Sequence, residues 1–314
     1  MKKTLYLLFF LSIFIYSCDS GNDPIDDTEQ PDGGDEGNEG DNGGTKPGKD
    51  HENYLTPEVD AAGKIIVNFT PKEYVQKVEA GQHMSSVRIP ADYYKSALSM
   101  SGSELRSQLK SIISSGAEKL SYSAVYDICE EDDQNPANNS QVWLVYKEVG
   151  IEKSKRVSSY SAGWNREHVW AKSHGDFGKT PGPGTDCHHL RASDARENSN
   201  RGNLDFANVS GPRTKTGAFY EPPLSAKGDV ARSIFYMAVR YGFTINETGG
   251  SGSVAYHGKL SDLLEWNELD PVDPYEIRRN NIVYGYQKNR NPFIDHPELV
   301  KYIFGGKKTA VWSN

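Results

Sequence analysis

Three short stretches hold the residues able to do chemistry. Trp164-Asn165-Arg166-Glu167-His168-Val169-Trp170 sets a carboxylate beside an imidazole. Thr185-Asp186-Cys187-His188-His189-Leu190-Arg191 follows, and Asn198-Ser199-Asn200-Arg201-Gly202-Asn203 adds a carboxamide and a guanidinium. Together they are equipment for metal-assisted hydrolysis of a phosphodiester. The diester is negatively charged and repels hydroxide, so cleavage needs a base for water, positive charge on the phosphate, and help for the departing 3′-oxygen. A neutral histidine suits the first task, because its ordinary pKa lies near physiological pH. A hard divalent cation supplies the other two and prefers oxygen ligands such as Glu and Asn. His168 is the expected general base, Glu167 and Asn198 the expected cation ligands, and Arg201 a charge-assisted phosphate contact. For His188 and His189 a structural role is preferred, since neighbours on an extended run point to opposite faces. His174 is expected to be solvated.

Four elements must position this set. Glu167 to Trp170 reads as a strand, residues 174–184 as a Gly/Pro-rich loop, and Asp186 to Arg191 as a second strand. Ser193 or Asp194 can then cap a helix carrying Asn198 and Arg201, which share a face because they lie three apart. Further along, Gly228 to Arg240 predicts a helix ended by Gly242, with Val230, Ile234, Met237, Ala238 and Tyr241 on its buried side. Pro90 to Ala97 predicts a helical start. Ser101-Gly102-Ser103-Glu104 fits a capping box before the apolar stripe of Leu105, Leu109, Ile112 and Ile113, stopped by Gly116. Gln141 to Tyr146 reads as a buried strand, Lys64 to Phe69 as a short one, Lys72 to Ala80 as a helical turn or two, and Leu260 to Trp266 as a helix.

The first 52 residues speak about address. Lys2 and Lys3 precede an apolar run from Leu5 to Tyr16, too short to span a bilayer comfortably and typical of a secretory signal. The run ends in Ile15-Tyr16-Ser17-Cys18, which resembles a bacterial lipobox and implies cleavage after residue 17 with a lipid on Cys18. Residues 19–52 hold 12 acids and 2 bases with almost no apolar content, so they read as a flexible tether. The leader carries two lysines and the whole chain sums to −8, so residues 53–314 are neutral (−8 + 10 − 2 = 0). The acidic balance therefore belongs to the tether and does not exclude a polyanionic partner, which would need a local basic patch. Cys129 and Cys187 can pair in an oxidising compartment or remain buried thiols; adjacency of Cys187, His188 and His189 does not fit a zinc cage.

The three chemical stretches, with Gly228-Asp229-Val230-Ala231-Arg232, Phe235-Tyr236-Met237-Ala238-Val239-Arg240-Tyr241 and Arg290-Asn291-Pro292-Phe293-Ile294-Asp295, resemble the bacterial endonuclease I family from about Ile89 to Phe304. The resemblance implies an α+β fold, a mainly helical body around a ββα-metal (His-Me finger) hairpin and helix. It also implies a secreted or periplasmic nuclease that cuts DNA, and often RNA, with little sequence preference. The implied ion is Mg²⁺, or another divalent cation such as Mn²⁺ or Ca²⁺. Position by position it makes His168 the base and Glu167 and Asn198 the metal ligands. The resulting organisation is a signal peptide over 1–17, the lipidated cysteine and tether over 18–52, an extension over 53–88, the nuclease domain over 89–306 and a tail over 307–314. Arg166, Arg191, Arg201, Arg232, Arg240 and Arg290 are the candidate nucleic-acid contacts, in keeping with binding through phosphates rather than bases. The expected setting is a monomeric outer-membrane lipoprotein in the cell envelope, exposed at the surface. The competing reading is a lipoprotein that binds nucleic acid without turnover. A glycan-cleaving or two-metal hydrolase ranks last, because no carboxylate pair or dense His/Asp cage stands out.

Overall fold

The computed structural model describes residues 89–158, 160–249 and 256–313, with a small ribbon in which Glu58–Val59 pairs antiparallel with Ile65–Ile66. The leader, Cys18, the acidic segment and the turn foreseen at 72–80 lie outside the described residues. No described helix is long and apolar enough to cross a membrane.

The described chain is mixed helix and small sheets. Helix α1 (Gly102–Ser114) and helix α2 (Ala124–Asp132) precede an antiparallel pair, β1 (Gln141–Leu144) with β2 (Val149–Glu152). Strands β3 (Trp164–His168) and β4 (Leu190–Asp194) pair antiparallel, and β4 passes directly into helix α3 (Ala195–Arg201). A three-stranded sheet follows, in the order β5 (Asp205–Phe206), β7 (Phe219–Glu221), β6 (Thr214–Thr216). Helix α4 (Lys227–Tyr241), strand β8 (Thr244–Ile245), strand β9 (Tyr256–His257) and helices α5 (Leu260–Leu269), α6 (Pro274–Gln287), α7 (Pro292–Asp295) and α8 (Leu299–Ile303) complete the order.

Helix α4 is the axis of the main core. Every residue from Lys227 to Val239 except the half-buried Asp229 is buried, and α1, α5 and α7 pack around the helix. Leu105, Leu109 and Ile113 of α1 fall on one stripe and are completely buried, each removing about 2 kcal/mol of apolar exposure from water. Gly242 ends α4 at φ +76°, a left-handed conformation that an L side chain resists. A second apolar cluster joins α2 to the outer side of the β3–β4 pair through Val125, Ile128, Trp164, Leu190 and Ala192. Cys129 and Cys187 lie in this cluster as free, buried thiols, and burial pushes both well above the ordinary thiol range.

Several local expectations shift. Pro90 to Ala97 forms turns and a 3₁₀ segment at Lys95–Ala97 rather than an α-helix. Ser101 precedes α1 as foreseen, yet its hydroxyl makes no capping bond. Gly102 takes φ +51° at the first helical position, which turns the backbone out of line with that side chain. Asp186 to His189 is a turn, and the strand starts only at Leu190. The cause is local: Asp186 Oδ1 accepts the His188 backbone N–H at 3.0 Å, an Asx turn that competes with extension.

Candidate active site

The register of β3 and β4 sets Glu167 opposite Arg191 and His168 opposite Leu190. Asp194, last in β4, caps α3: its Oδ1 accepts the backbone N–H groups of Arg196 and Glu197, both at 3.0 Å. That cap joins strand to helix without a spacer, so α3 returns to β3 at once. Asn198 Nδ2 donates to Asn165 Oδ1 at 2.8 Å and to the Arg166 carbonyl at 3.3 Å. Asn165 and Glu167 share a strand face by alternation, so the carboxamide stands on the side of the carboxylate. Both amide N–H groups are thus spent on β3, and the carboxamide keeps Oδ1 as its acceptor.

His168 closes β3 on the other face, together with Arg166. Its Nε2 lies 3.0 Å from the Gly184 carbonyl. A carbonyl only accepts, so Nε2 carries the proton and Nδ1 keeps its lone pair in the neutral ring. The Gly/Pro loop thus selects the tautomer. Burial, then the neighbouring His189 and Lys172, hold the imidazole well below its usual pKa, which keeps it neutral at physiological pH. Tyr122 lies parallel to the ring at 6.0 Å, and Phe177 and His189 complete its surroundings.

Glu167 is buried, and two donors converge on Oε1: the Tyr146 hydroxyl at 2.6 Å and Arg201 Nη1 at 2.8 Å. Neither bond falls on Oε2. Burial pushes the carboxyl above its usual range, while Arg201 and Tyr146 pull it back toward the ionised form. Arg201 is occupied on every N–H. Nε donates to the Leu204 carbonyl at 2.9 Å, Nη1 to Glu167 and the His168 carbonyl, and Nη2 to the Val169 carbonyl and His257 Nε2 at 3.2 Å.

Sequence relationships identify the family around this arrangement. The family model described as Endonuclease I matches residues 101–298. The chain belongs to the endonuclease I family. It is 52% identical over 226 residues to the protein named extracellular ribonuclease of Bacillus amyloliquefaciens, covering 68% of this chain and 78% of that one. The protein of the same name from Bacillus subtilis (strain 168) is 50% identical over 227 residues, with the same shares covered. The protein named Endonuclease-1 of Buchnera aphidicola subsp. Acyrthosiphon pisum (strain APS) is 23% identical over 120 residues, 35% of this chain and 44% of that one. This endonuclease I family member is therefore a hydrolytic nuclease, with nucleic acid as its substrate.

Within this family member, most of the arginines expected on phosphate face inward. Arg201 is 1% exposed and has no N–H left to offer, so it is a clamp inside the site and not a substrate contact. Arg191 is held between Asp133 and Asp229, both at 2.9 Å. Arg232 is gripped by both carboxylate oxygens of Glu276, and Arg290 by both oxygens of Asp295 at 2.7 Å. Arg240, mostly buried, sits 3.4 Å from Asp186 and donates to Tyr236 Oη at 2.7 Å. These guanidinia neutralise buried carboxylates, so their spacing on the sequence did not report a surface. Arg166 also stays partly exposed, but it lies between the rings of Tyr122 and Tyr126, at 3.4 and 3.6 Å from their centroids.

His174 also departs from expectation. It is 1% exposed, with Nδ1 2.8 Å from Asp205 Oδ1. With His257 these two form a buried His/Asp group whose ligand atoms lie within 4.8 Å of one another, close enough to hold a metal ion. Tyr146, Asn165, Asp205 and His257 were not singled out from sequence as site residues. Tyr146 reads from sequence only as the end of a buried strand and Asn165 only as a member of the first stretch with no role given, and nothing local marks Asp205 or His257. His188 and His189 are buried in structural bonds to the carbonyls of Asn289 and Pro183, as preferred from sequence.

Proposed function

We propose that this nuclease is a metal-dependent endonuclease acting on DNA and RNA with little sequence preference, built on a ββα-metal core. The observation that carries the reading is the His168 tautomer: a buried neutral imidazole whose Nε2–H is anchored on Gly184, with Nδ1 available to take a proton from water. Glu167 and Asn198 suit a hard cation, because both side-chain donors to the carboxylate share Oε1 and the carboxamide spends its N–H groups on β3 and keeps its oxygen. When bound, Mg²⁺ or a similar ion would supply positive charge to the phosphate and to the leaving oxygen. Alternation sends Glu167 and His168 to opposite faces of β3, so the scissile phosphate is bound at the strand's end, where His168 is the last residue. The substrate's flanking phosphates fall to Arg166, Lys172 and Lys179 rather than to the buried arginines. Arg166 and Lys172 both act electrostatically on His168, and Lys179 Nζ lies 5.5 Å from the Tyr122 ring that parallels it.

The names of the two Bacillus relatives make RNA a substrate to test beside DNA and support export from the cell. The lipobox-like Ser17-Cys18 supports anchoring in the outer membrane by a lipid on Cys18. The deciding experiment incubates supercoiled plasmid and a folded RNA with the protein in Mg²⁺ and in EDTA. Both are cut in Mg²⁺ and spared in EDTA, and His168→Ala lowers the rate about 10²- to 10⁴-fold. Undiminished cutting by His168→Ala removes the assignment of the base.

A further inference from the structure

Behind the proposed cation ligands lies a buried chain of polar groups that the hydrolytic step does not use. Arg201 Nη2 is 3.2 Å from His257 Nε2, and His257 Nδ1 is 3.1 Å from its neighbour's Gly258 carbonyl and 3.3 Å from Asp205 Oδ1. Asp205 is fixed in turn. Its Oδ2 accepts the Gly258 N–H at 3.0 Å, and the backbone of Phe206 is bonded to Gly258 and Lys259 in both directions. The His257 ring is stacked on Phe206 at 5.3 Å and edged by Trp170 at 5.2 Å, so it cannot turn freely.

Two roles suit such a cluster, a metal cage of His174, Asp205 and His257 or a brace for Arg201. The tautomers decide between them. A guanidinium donates and never accepts, so His257 Nε2 must carry its lone pair toward Arg201 and Nδ1 must carry the proton. A metal on Nδ1 would invert this, placing an Nε2–H against the Arg201 N–H. Metal-bound imidazoles instead direct their second N–H at an acceptor.

The brace also answers a count. Four of the five N–H groups of Arg201 go to Glu167 and three backbone carbonyls; His257 takes the fifth. Without it a buried donor on Nη2 is unmatched, and rotating the guanidinium to satisfy it disturbs Nη1, which holds Glu167 Oε1.

We propose that His257, oriented by Asp205, is a positioning residue that fixes Arg201 and through it the direction in which Glu167 presents its carboxylate to a divalent cation. This rests on the assignment of Glu167 as a cation ligand. The test measures Mn²⁺ affinity of the full chain by the electron paramagnetic resonance of free Mn²⁺, without substrate, for wild type, His257→Phe and His257→Gln. Phe keeps a ring but no acceptor, whereas the Gln carbonyl can reach the position of Nε2. His257→Phe is expected to weaken Mn²⁺ about 10-fold, as loss of an outer hydrogen-bond partner does, and His257→Gln to stay near wild type. At saturating Mn²⁺ the KM for nucleic acid is unchanged in both.

Equal affinity of His257→Phe and wild type overturns the proposal, as does a stoichiometric metal retained by wild type and lost in His174→Ala. Absence of saturable Mn²⁺ binding by wild type is a different failure, because it removes the cation-ligand assignment and this inference with it. Should His257→Phe not fold, the ¹⁵N shifts of His257 in wild type decide: a lone pair on Nε2 supports the brace, and a proton there overturns it.

Discussion

Two arginine–carboxylate pairs in this chain are built to opposite ends. Arg232 meets Glu276 with two nitrogens against two oxygens, in a site where the guanidinium is fully buried, and nothing of the carboxylate is left over. Arg201 meets Glu167 through Oε1 alone, with Tyr146 on the same oxygen. The first pair closes a gap between α4 and α6, and the second holds its carboxylate by one oxygen, as the proposed cation ligand requires. Burial and ion pairing are therefore common to both pairs; what sets Glu167 apart is that its two side-chain donors share one oxygen.

The comparison breaks most visibly if Arg232 is removed. Arg232→Ala strands a buried carboxylate and is expected to cost about 3–5 kcal/mol of stability in urea unfolding, while the specific activity of the remaining folded protein stays near wild type. A large loss of activity at full folding would place Arg232 with Arg201 instead.

A smaller effect concerns the buried structural imidazoles. Burial is the main force holding His188 down to about 3, with His189 and His257 at about 4 for the same reason. An unfolded histidine takes a proton below about pH 6.5. The unfolded state then binds more protons than the folded one, so each ring contributes stability that is lost as pH falls from about 6.5 toward the folded value. Carboxylates raised by burial, such as Asp270 at about 8 and Asp273 at about 6, work in the opposite sense. The clean measurement is thus the difference between wild type and His188→Gln. About 2 kcal/mol of acid sensitivity between about pH 7.5 and about pH 5 should vanish in the variant. An unchanged difference would mean that His188 is already charged in the fold.

The smallest effect concerns the substrate surface. Lys172→Ala and Lys179→Ala should each flatten the dependence of log binding constant on log salt by roughly 0.7 to 0.9, the share of one phosphate contact. Arg290→Lys should leave that slope alone, because Arg290 is spent on Asp295 and Asn281. A changed slope in Arg290→Lys would return that residue to the phosphate surface.

Much of the active-site framework was legible because it is local. The span from Asn165 to Arg201 contains strand, loop, strand, cap and helix in order, and Asp194 announces the helix by residue type alone. Helix α4 was equally plain, with Gly242 one residue beyond its end. The misses share a cause. Tyr146, Asp205 and His257 reach the site across long chain separations, and their alternation or helical phase says only that they are buried. The arginines misled for the complementary reason: a cationic side chain reads as surface until its carboxylate partner, often far along the chain, is known. Asp186 shows a third case, where a side chain bonding its own backbone replaced a strand with a turn.

The seam between β4 and α3 has no spare residue, since Asp194 is both the end of one and the cap of the other. The angular setting of Asn198 is consequently a matter of counting. One added or deleted residue at that junction would swing the carboxamide about 100° around the helix axis and carry it about 1.5 Å along it. Chemistry at this centre should therefore forgive many exchanges of side chain near the junction and no change in chain length.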